Sequence, residues 1–312
     1  MPMSNKELLE KIDTGSLAGG GLLNPEQAKE FFEMTFEATE FSKLHRKEQK
    51  TATTGELDKI AIGGRLLRKK TEGVDDNYRA GISTSKIEYS TVPVRLPWDI
   101  SEDTLRKNIE REAFEDRVIR MMTTQTGIDA EDLHFNGDTS SSDPFLSIND
   151  GWIKQIKTGT GSHVVDCSGD SAFGKATLFK ISRNMPNKYK SSKLKWIMSP
   201  TRRELWIEYL TSRPTAAGDA ALLGAGDQVN QPLGYGIVTV PSLPDDIIIL
   251  TNPENFIVVW TYDIRIRKTT EGREAIMQDK RFYVIHFDDD PVIQELDAVV
   301  LAYGIPETLA TS

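Results

Sequence analysis

Cysteine is nearly missing: Cys167 is the single copy in 312 residues. That excludes an intrachain disulfide framework and a cysteine-based zinc cage, and it suits a chain made in a reducing cytoplasm. Long apolar runs are missing too. None approaches the roughly 18–20 residues that cross a bilayer, so no membrane partner is expected. The opening MPMSNKELLEKID has no apolar centre of the kind an export signal needs. Positive charge is short, with 38 Lys/Arg against 47 Asp/Glu and a net charge of −9, which excludes a nucleic-acid binder of the basic type.

Motifs of catalysis are equally sparse. The four histidines, His45, His134, His163 and His286, share no HExxH-like spacing. Gly159-Thr160-Gly161 and Gly224-Ala225-Gly226 lack the third glycine of a dinucleotide fingerprint. Ser83-Thr84-Ser85-Lys86 has SxxK spacing without the partner motifs of a serine nucleophile. Cys167 lies among Asp166, Ser168 and Gly169, with no basic neighbour in sequence to lower its pKa. Asp288-Asp289-Asp290 offers oxygen ligands for a hard cation, but before Pro291 it reads as a solvated turn. No catalytic, cofactor-binding or metal site is expected.

What is present is uneven. Residues 1–45 carry 4 Lys/Arg and 8 Asp/Glu, whereas residues 46–92 carry 10 and 7. The first segment reads as an arm. Thr14–Gly21 is a glycine-rich break, and Asn24-Pro25 opens a helix with a capping residue followed by proline at the first helical position. Phe31, Phe32 and Phe36 are more aromatic surface than a short lone helix hides, so they pack on the chain's own core or on another subunit. Residues 46–92 are broken by Gly55, Gly63-Gly64, Gly73 and Gly81 and have too little apolar surface for a domain. They read as a long projecting hairpin, with strand character at Ile60–Ile62 and Lys86–Val94. An isolated hairpin is marginal in water, which implies a surface on which it rests. Its Lys59, Arg65, Arg68, Lys69 and Lys70 are the candidate contacts. The Arg65–Lys70 tract has phosphate-binding character, but the acidic stretches beside it favour a protein partner.

A long helix follows. Ser101 is its cap, Glu102 and Asp103 lie in its first turn, and Gly127 is its expected stop. Leu105 and Ile109 mark one apolar face. Phe114, Val118, Met121 and Met122 mark another turned away from it, so the helix reads as a strut with different neighbours at its two ends. Further on, helices are expected from Ser171 to before Pro186 and after Ser199-Pro200. Strands are expected at Lys195–Met198, Gly234–Val240, Ile247–Leu250, Phe256–Tyr262, Tyr262–Thr269, Arg281–Phe287, Val292–Leu296 and Ala298–Tyr303. Helices and strands mix without a βαβ repeat, so the class is α+β.

This layout resembles the major capsid protein of tailed bacteriophages, the Hong Kong 97-type fold, over nearly the whole chain. The resemblance rests on the order of GGGLLNPEQAKEFF, the glycine-broken hairpin, a strand through Pro97 into the capped helix, DLHFNGD, WIMSPTRRELWIEYL, GYGIVTVPSLPDD, and DIRIRKT before RFYVIHFDDDPVIQELDAVVLAYG. It implies an N-arm (1–45) and an extended β-hairpin E-loop (46–92). It implies a peripheral domain with the long spine helix (93–144 and 261–297), and an axial domain (145–260 and 298–312). It further implies a shell protein that assembles with itself into pentamers and hexamers of an icosahedral head around double-stranded DNA. A portal is implied beside it, and in some members decoration proteins.

Only about 100 residues precede the spine helix here, which resembles members assisted by a separate scaffolding protein. Members that weld a hairpin Lys to a peripheral-domain Asn need an asparagine that Trp260–Leu296 does not contain, so no covalent link is expected. The alternatives are an encapsulin-type compartment of the same fold and, more distantly, a soluble enzyme of unknown chemistry.

Overall fold

One strand ties together most of the first sheet. β11 (Lys280–Ile293) pairs antiparallel with β4 (Val92–Ser101) over Lys280–Asp289. It pairs with β10 (Arg265–Thr269) over Phe282–His286, and with β9 (Phe256–Trp260) over Asp290–Ile293. β1 (Arg46–Gln49) extends this sheet by pairing parallel to β9. The computed structural model describes residues 39–62, 82–107, 112–212, 231–261 and 265–310.

A second sheet has the order β5 (His163–Asp166), β12 (Val300–Tyr303), β8 (Ile248–Thr251), β6 (Lys195–Met198), β7 (Gly236–Thr239). Its strands are apolar on both sides because both faces are covered. Ile197, Ile249, Val299 and Leu301 point into one core. That core also holds Phe135 and the helix α3 (Trp152–Thr158) through Trp152, Ile153 and Ile156. Trp196, Met198, Ile248, Leu250 and Val300 point into another core, with Leu178 and Ile181 of α4 (Lys175–Asn184) and Trp206 and Tyr209 of α5 (Pro200–Thr211). The expected cap-then-proline start of α5 is present: Ser199 Oγ accepts from the Arg202 amide at 3.1 Å. α4 starts later than expected, at Lys175.

β2 (Thr54–Ile62) and β3 (Ile82–Ser90) form a separate two-stranded sheet, each nine residues long. β4 tolerates Pro93 and Pro97 because it pairs only with β11 among the described residues, so its other edge needs no amide donors.

Three expectations fail here. Gly127 does not end the long helix. α1 (Glu102–Lys107) and α2 (Glu112–Asn136) are described, and α2 runs nine residues past Gly127. Its buried stripe continues through Ala130, Leu133 and Phe135, and that burial outweighs the roughly 1 kcal/mol a helical glycine costs. The stop is Gly137, where a Cβ would lie 2.6 Å from the backbone oxygens of Leu133 and Asn149. Second, Met121 is not on a packed face; it is 65% exposed. Third, Asp288–Pro291 is no turn. β11 passes straight through it, with Asp288 and Asp289 buried. Cross-strand pairing with β4 and β9 holds the segment extended, and each carboxylate meets a polar partner from another part of the chain, although Oδ1 of Asp289 has none among the described residues.

Candidate functional site at the root of the hairpin

The hairpin is anchored through one face. Leu57, Tyr89 and the half-buried Ile87 pack on Ile257, Val259 and Val292, the side of β9 and β11 turned away from the main core. Gly55 makes this possible: a Cβ there would lie 2.6 Å from the Tyr89 hydroxyl, which donates to the Ala52 carbonyl at 3.2 Å. Lys59 forms an ion pair with Glu295 of the same chain. Across the hairpin's other face, Glu56 stands opposite Glu88 and Asp58 opposite Lys86.

Below the anchor, three consecutive carboxylates of β11 each hold a different element. Asp288 accepts from the Thr91 hydroxyl at 2.8 Å, between β3 and β4, and from the Thr261 amide at 3.1 Å, after β9. Asp289 meets Nε2 of His134 on α2 at 2.6 Å. Asp290 accepts the Ser90 amide at 2.7 Å, at the last residue of β3. Burial, with Asp289 adjacent, pushes the Asp290 carboxyl up to about 7. Among the described residues no group of three His, Cys, Asp or Glu is placed to hold a metal.

His45 lies close by, stacked on Phe41 and edge-on to Trp152. Burial, with the charge that His134 and Lys47 contribute, pushes its imidazole down to about 3. Neither ring nitrogen meets a hydrogen-bond partner among the described residues. Glu131 of α2 accepts from the Thr39 hydroxyl, and burial holds its carboxyl above the ordinary range.

α1 and α2 are clamped to the first sheet by a charge network. Ser101 caps α1 by accepting the Thr104 amide at 3.2 Å. Arg281 of β11 grips Glu102 with Nε at 2.5 Å and Nη2 at 3.2 Å, and Glu115 with Nη1 at 2.7 Å. Lys268 of β10 reaches the other oxygen of Glu115 at 2.5 Å. Burial opposes ionisation of Glu115, but Lys268, Tyr283 and Arg281 together hold its carboxyl below the ordinary range. Charge-assisted bonds of this length fix position as well as energy.

The expected site residues divide. Phe31, Phe32, Phe36, Arg65, Arg68, Lys69, Lys70 and Ile109 lie outside the described residues. Leu105 is buried in the main core, and Val118 and Met122 are half-buried and packed against it. Lys59, expected at a contact between subunits, is engaged within its own. Sequence reasoning missed Glu115, His134, Asp289 and Asp290. A signal existed for two of them: Glu115, Ile119, Thr123, Thr126, Ala130, Leu133 and His134 follow helical spacing, and all are buried. The polar members hid the stripe. Cys167 is fully buried, and burial pushes its thiol up to about 11 despite the nearby Lys180.

No family model matches the sequence. A protein of Bacillus subtilis (strain 168) described as a prophage capsid protein, YqbE, is 31% identical over 321 residues, 98% of this chain and 100% of the relative. A chain of the satellite phage P4 procapsid that includes the size determination (Sid) protein superposes with a TM-score of 0.71 at 17% identity. That match covers 97% of this chain and 98% of the other. The SrpI encapsulin of Synechococcus elongatus PCC 7942 superposes with a TM-score of 0.52 at 10% identity, covering 86% and 88%. Fold alone therefore does not separate phage shells from encapsulins; the relative at 31% identity does.

Proposed function

This chain belongs to the phage major capsid protein family, and from that premise we propose that it builds the icosahedral head of a tailed phage around double-stranded DNA. It is a structural protein of the Hong Kong 97-type fold. The finer reading is that subunits gather as pentamers and hexamers in the host cytoplasm, with a separate scaffolding protein and a portal as partners and decoration proteins as optional ones. No catalytic role is assigned. In this reading residues 1–45 are the N-arm and 46–92 the E-loop. The peripheral domain is 93–144 with 261–297, and the axial domain is 145–260 with 298–312. Net charge of −9 suits a container for DNA, because a strongly basic lining would hold the genome by phosphate contacts.

The observation that carries this reading is the hairpin. Two nine-residue strands reach roughly 30 Å at about 3.4 Å per residue, and among the described residues the hairpin meets its own subunit near the root, through Leu57, Ile87, Tyr89 and the Lys59–Glu295 ion pair. A two-stranded ribbon is at best marginally stable by itself in water, and a repeating shell supplies a surface for it by symmetry.

The test is electron microscopy of the purified protein. Hollow closed shells are expected from the wild type. Deletion of residues 61–83, which spares Leu57, Ile87 and Tyr89, should leave soluble subunits with an unchanged melting temperature that form no stable shells. Shells of normal yield from the deletion would remove the hairpin from assembly. Nucleic acid inside the particles favours a phage head, and protein cargo favours an encapsulin.

A further inference from the structure

Charge is most uneven in the stretch that carries α4. Between Asp170 and Glu204 the chain has nine Lys/Arg and no Asp or Glu, inside a molecule of net charge −9. α4 turns Leu178 and Ile181 into the core. Its other side repeats every four residues, and Lys175, Phe179 and Arg183 there are all exposed. They form one row along the helix, about 12 Å long at 1.5 Å per residue. Phe179 is 44% exposed, and the Arg183 guanidinium lies 5.9 Å from its ring centroid. Cation–π attraction at that distance steadies the guanidinium at the surface. Past the end of the helix, Lys188, Lys190 and Lys193 are exposed as well.

Carboxylates elsewhere in the chain do not use up these cations. Lys180 is taken by Asp170, Lys188 by Asp297 and Lys193 by Glu254. Lys175, Arg183 and Lys190 make no ion pair among the described residues. Helix stability does not account for Lys175 either. It is the first residue of α4, where the positive end of the helix dipole opposes a cation, and the first turn holds no acidic residue. Folding of the subunit gains nothing from a charge in that place, whereas an anion arriving from outside does. A phosphate backbone is an anion of the right form. Duplex DNA carries one negative charge per roughly 1.7 Å of axis, so a row about 12 Å long faces several phosphates.

We propose that Lys175, Arg183 and Lys190 form a sequence-independent binding site for the phosphate backbone of duplex DNA. The proposal rests on the shell-building reading above only for the source of that DNA, the packed genome. Three cations give a weak hold that salt reverses, which a container for DNA can release.

Salt-dependent binding tests it. The unassembled full chain is titrated into a labelled duplex of about 30 base pairs at several salt concentrations, with fluorescence anisotropy as the readout. Wild type should bind, with log K falling against log salt at a slope of about −3. Lys175→Gln with Arg183→Gln and Lys190→Gln should weaken binding roughly tenfold or more and bring the slope near zero, since each phosphate contact contributes about one unit. The same loss of charge elsewhere, Lys43→Gln with Arg95→Gln and Arg267→Gln, all exposed, should bind within about twofold of wild type. If the triple variant fails to fold, Lys190→Gln alone, beyond the end of α4, should still lower the slope by about one.

Absence of wild-type binding, an equal loss in the control variant, or an unchanged slope after neutralising the row overturns the site and leaves shell formation untouched. Displacement of the labelled duplex by polyglutamate as effectively as by unlabelled duplex of equal charge makes the row a surface for acidic protein and also overturns the proposal. Wild-type subunits that bind the duplex but form no shells strike the shell-building reading and keep the site.

Discussion

The two large sheets are built on different physical terms. In the second sheet every residue of β8 is buried, and alternate side chains feed two separate cores. The first sheet is one-sided over β4, β10 and the first part of β11. β10 alternates exposed Arg265 and Arg267 with buried Ile266, and β4 leaves Pro93, Arg95, Pro97 and Asp99 exposed. The two-sided sheet is held by area removed from water, which is indifferent to direction. The one-sided sheet is oriented against α1, α2 and the hairpin by charged and hydrogen-bonded pairs, which are directional. A subunit that must place a helix, a hairpin and an open face at set angles uses directional contacts where geometry matters.

That contrast can be broken at its apolar end first. Trp196 is fully buried, and its indole donates to the Pro232 carbonyl at 2.9 Å. Trp196→Ala should cost about 3–5 kcal/mol, seen as a fall in the melting temperature of unassembled subunits. Val284→Ala on the open face should leave that temperature nearly unchanged.

The next effect belongs to the clamp on the long helix. Glu115→Ala leaves Lys268 and Arg281 facing each other without their shared carboxylate. A fully buried pair would cost about 3–5 kcal/mol, and because Arg281 reaches solvent about 2–3 kcal/mol is expected here. Urea unfolding checks it, and Glu115→Gln should recover part of the loss.

Two pH effects sharpen the comparison further. His45, held neutral with its pKa lowered to about 3, contributes stability that is present above its unfolded value near 6.5 and is lost as pH falls toward 3. Between pH 7 and pH 5 that loss is about 2 kcal/mol, and His45→Phe should remove it from a pH series of melting curves. Asp290 works in the opposite direction. Its pKa is raised to about 7, so its contribution is full below about 4 and is lost as pH rises through 7. Asp290→Asn should therefore stabilise subunits by about 1 kcal/mol at pH 8, discounted for partial exposure, by less than about half of that at pH 5, and by nothing measurable at about pH 3.5.

Much of this molecule was determined by local chemistry that any reader of the chain can follow. Ser101 and Ser199 cap helices because a hydroxyl beside free amides has one good conformation there. Lys195–Met198 is a strand because consecutive apolar residues suit a sheet covered on both sides. The order of arm, hairpin, long helix and closing strands pointed to the capsid family before any contact was known. Other features were decided only by residues distant in sequence. Gly127 and Asp288–Pro291 carry the local signs of a stop and a turn, yet one lies inside a helix and the other inside a strand. Phe135 is drawn into the core by Trp152 and Phe256, and Asp288, Asp289 and Asp290 find partners at Thr261, His134 and Ser90. A carboxylate reads as solvated in a sequence because its cost of burial is local, whereas the partners that offset that cost come from elements up to 200 residues away.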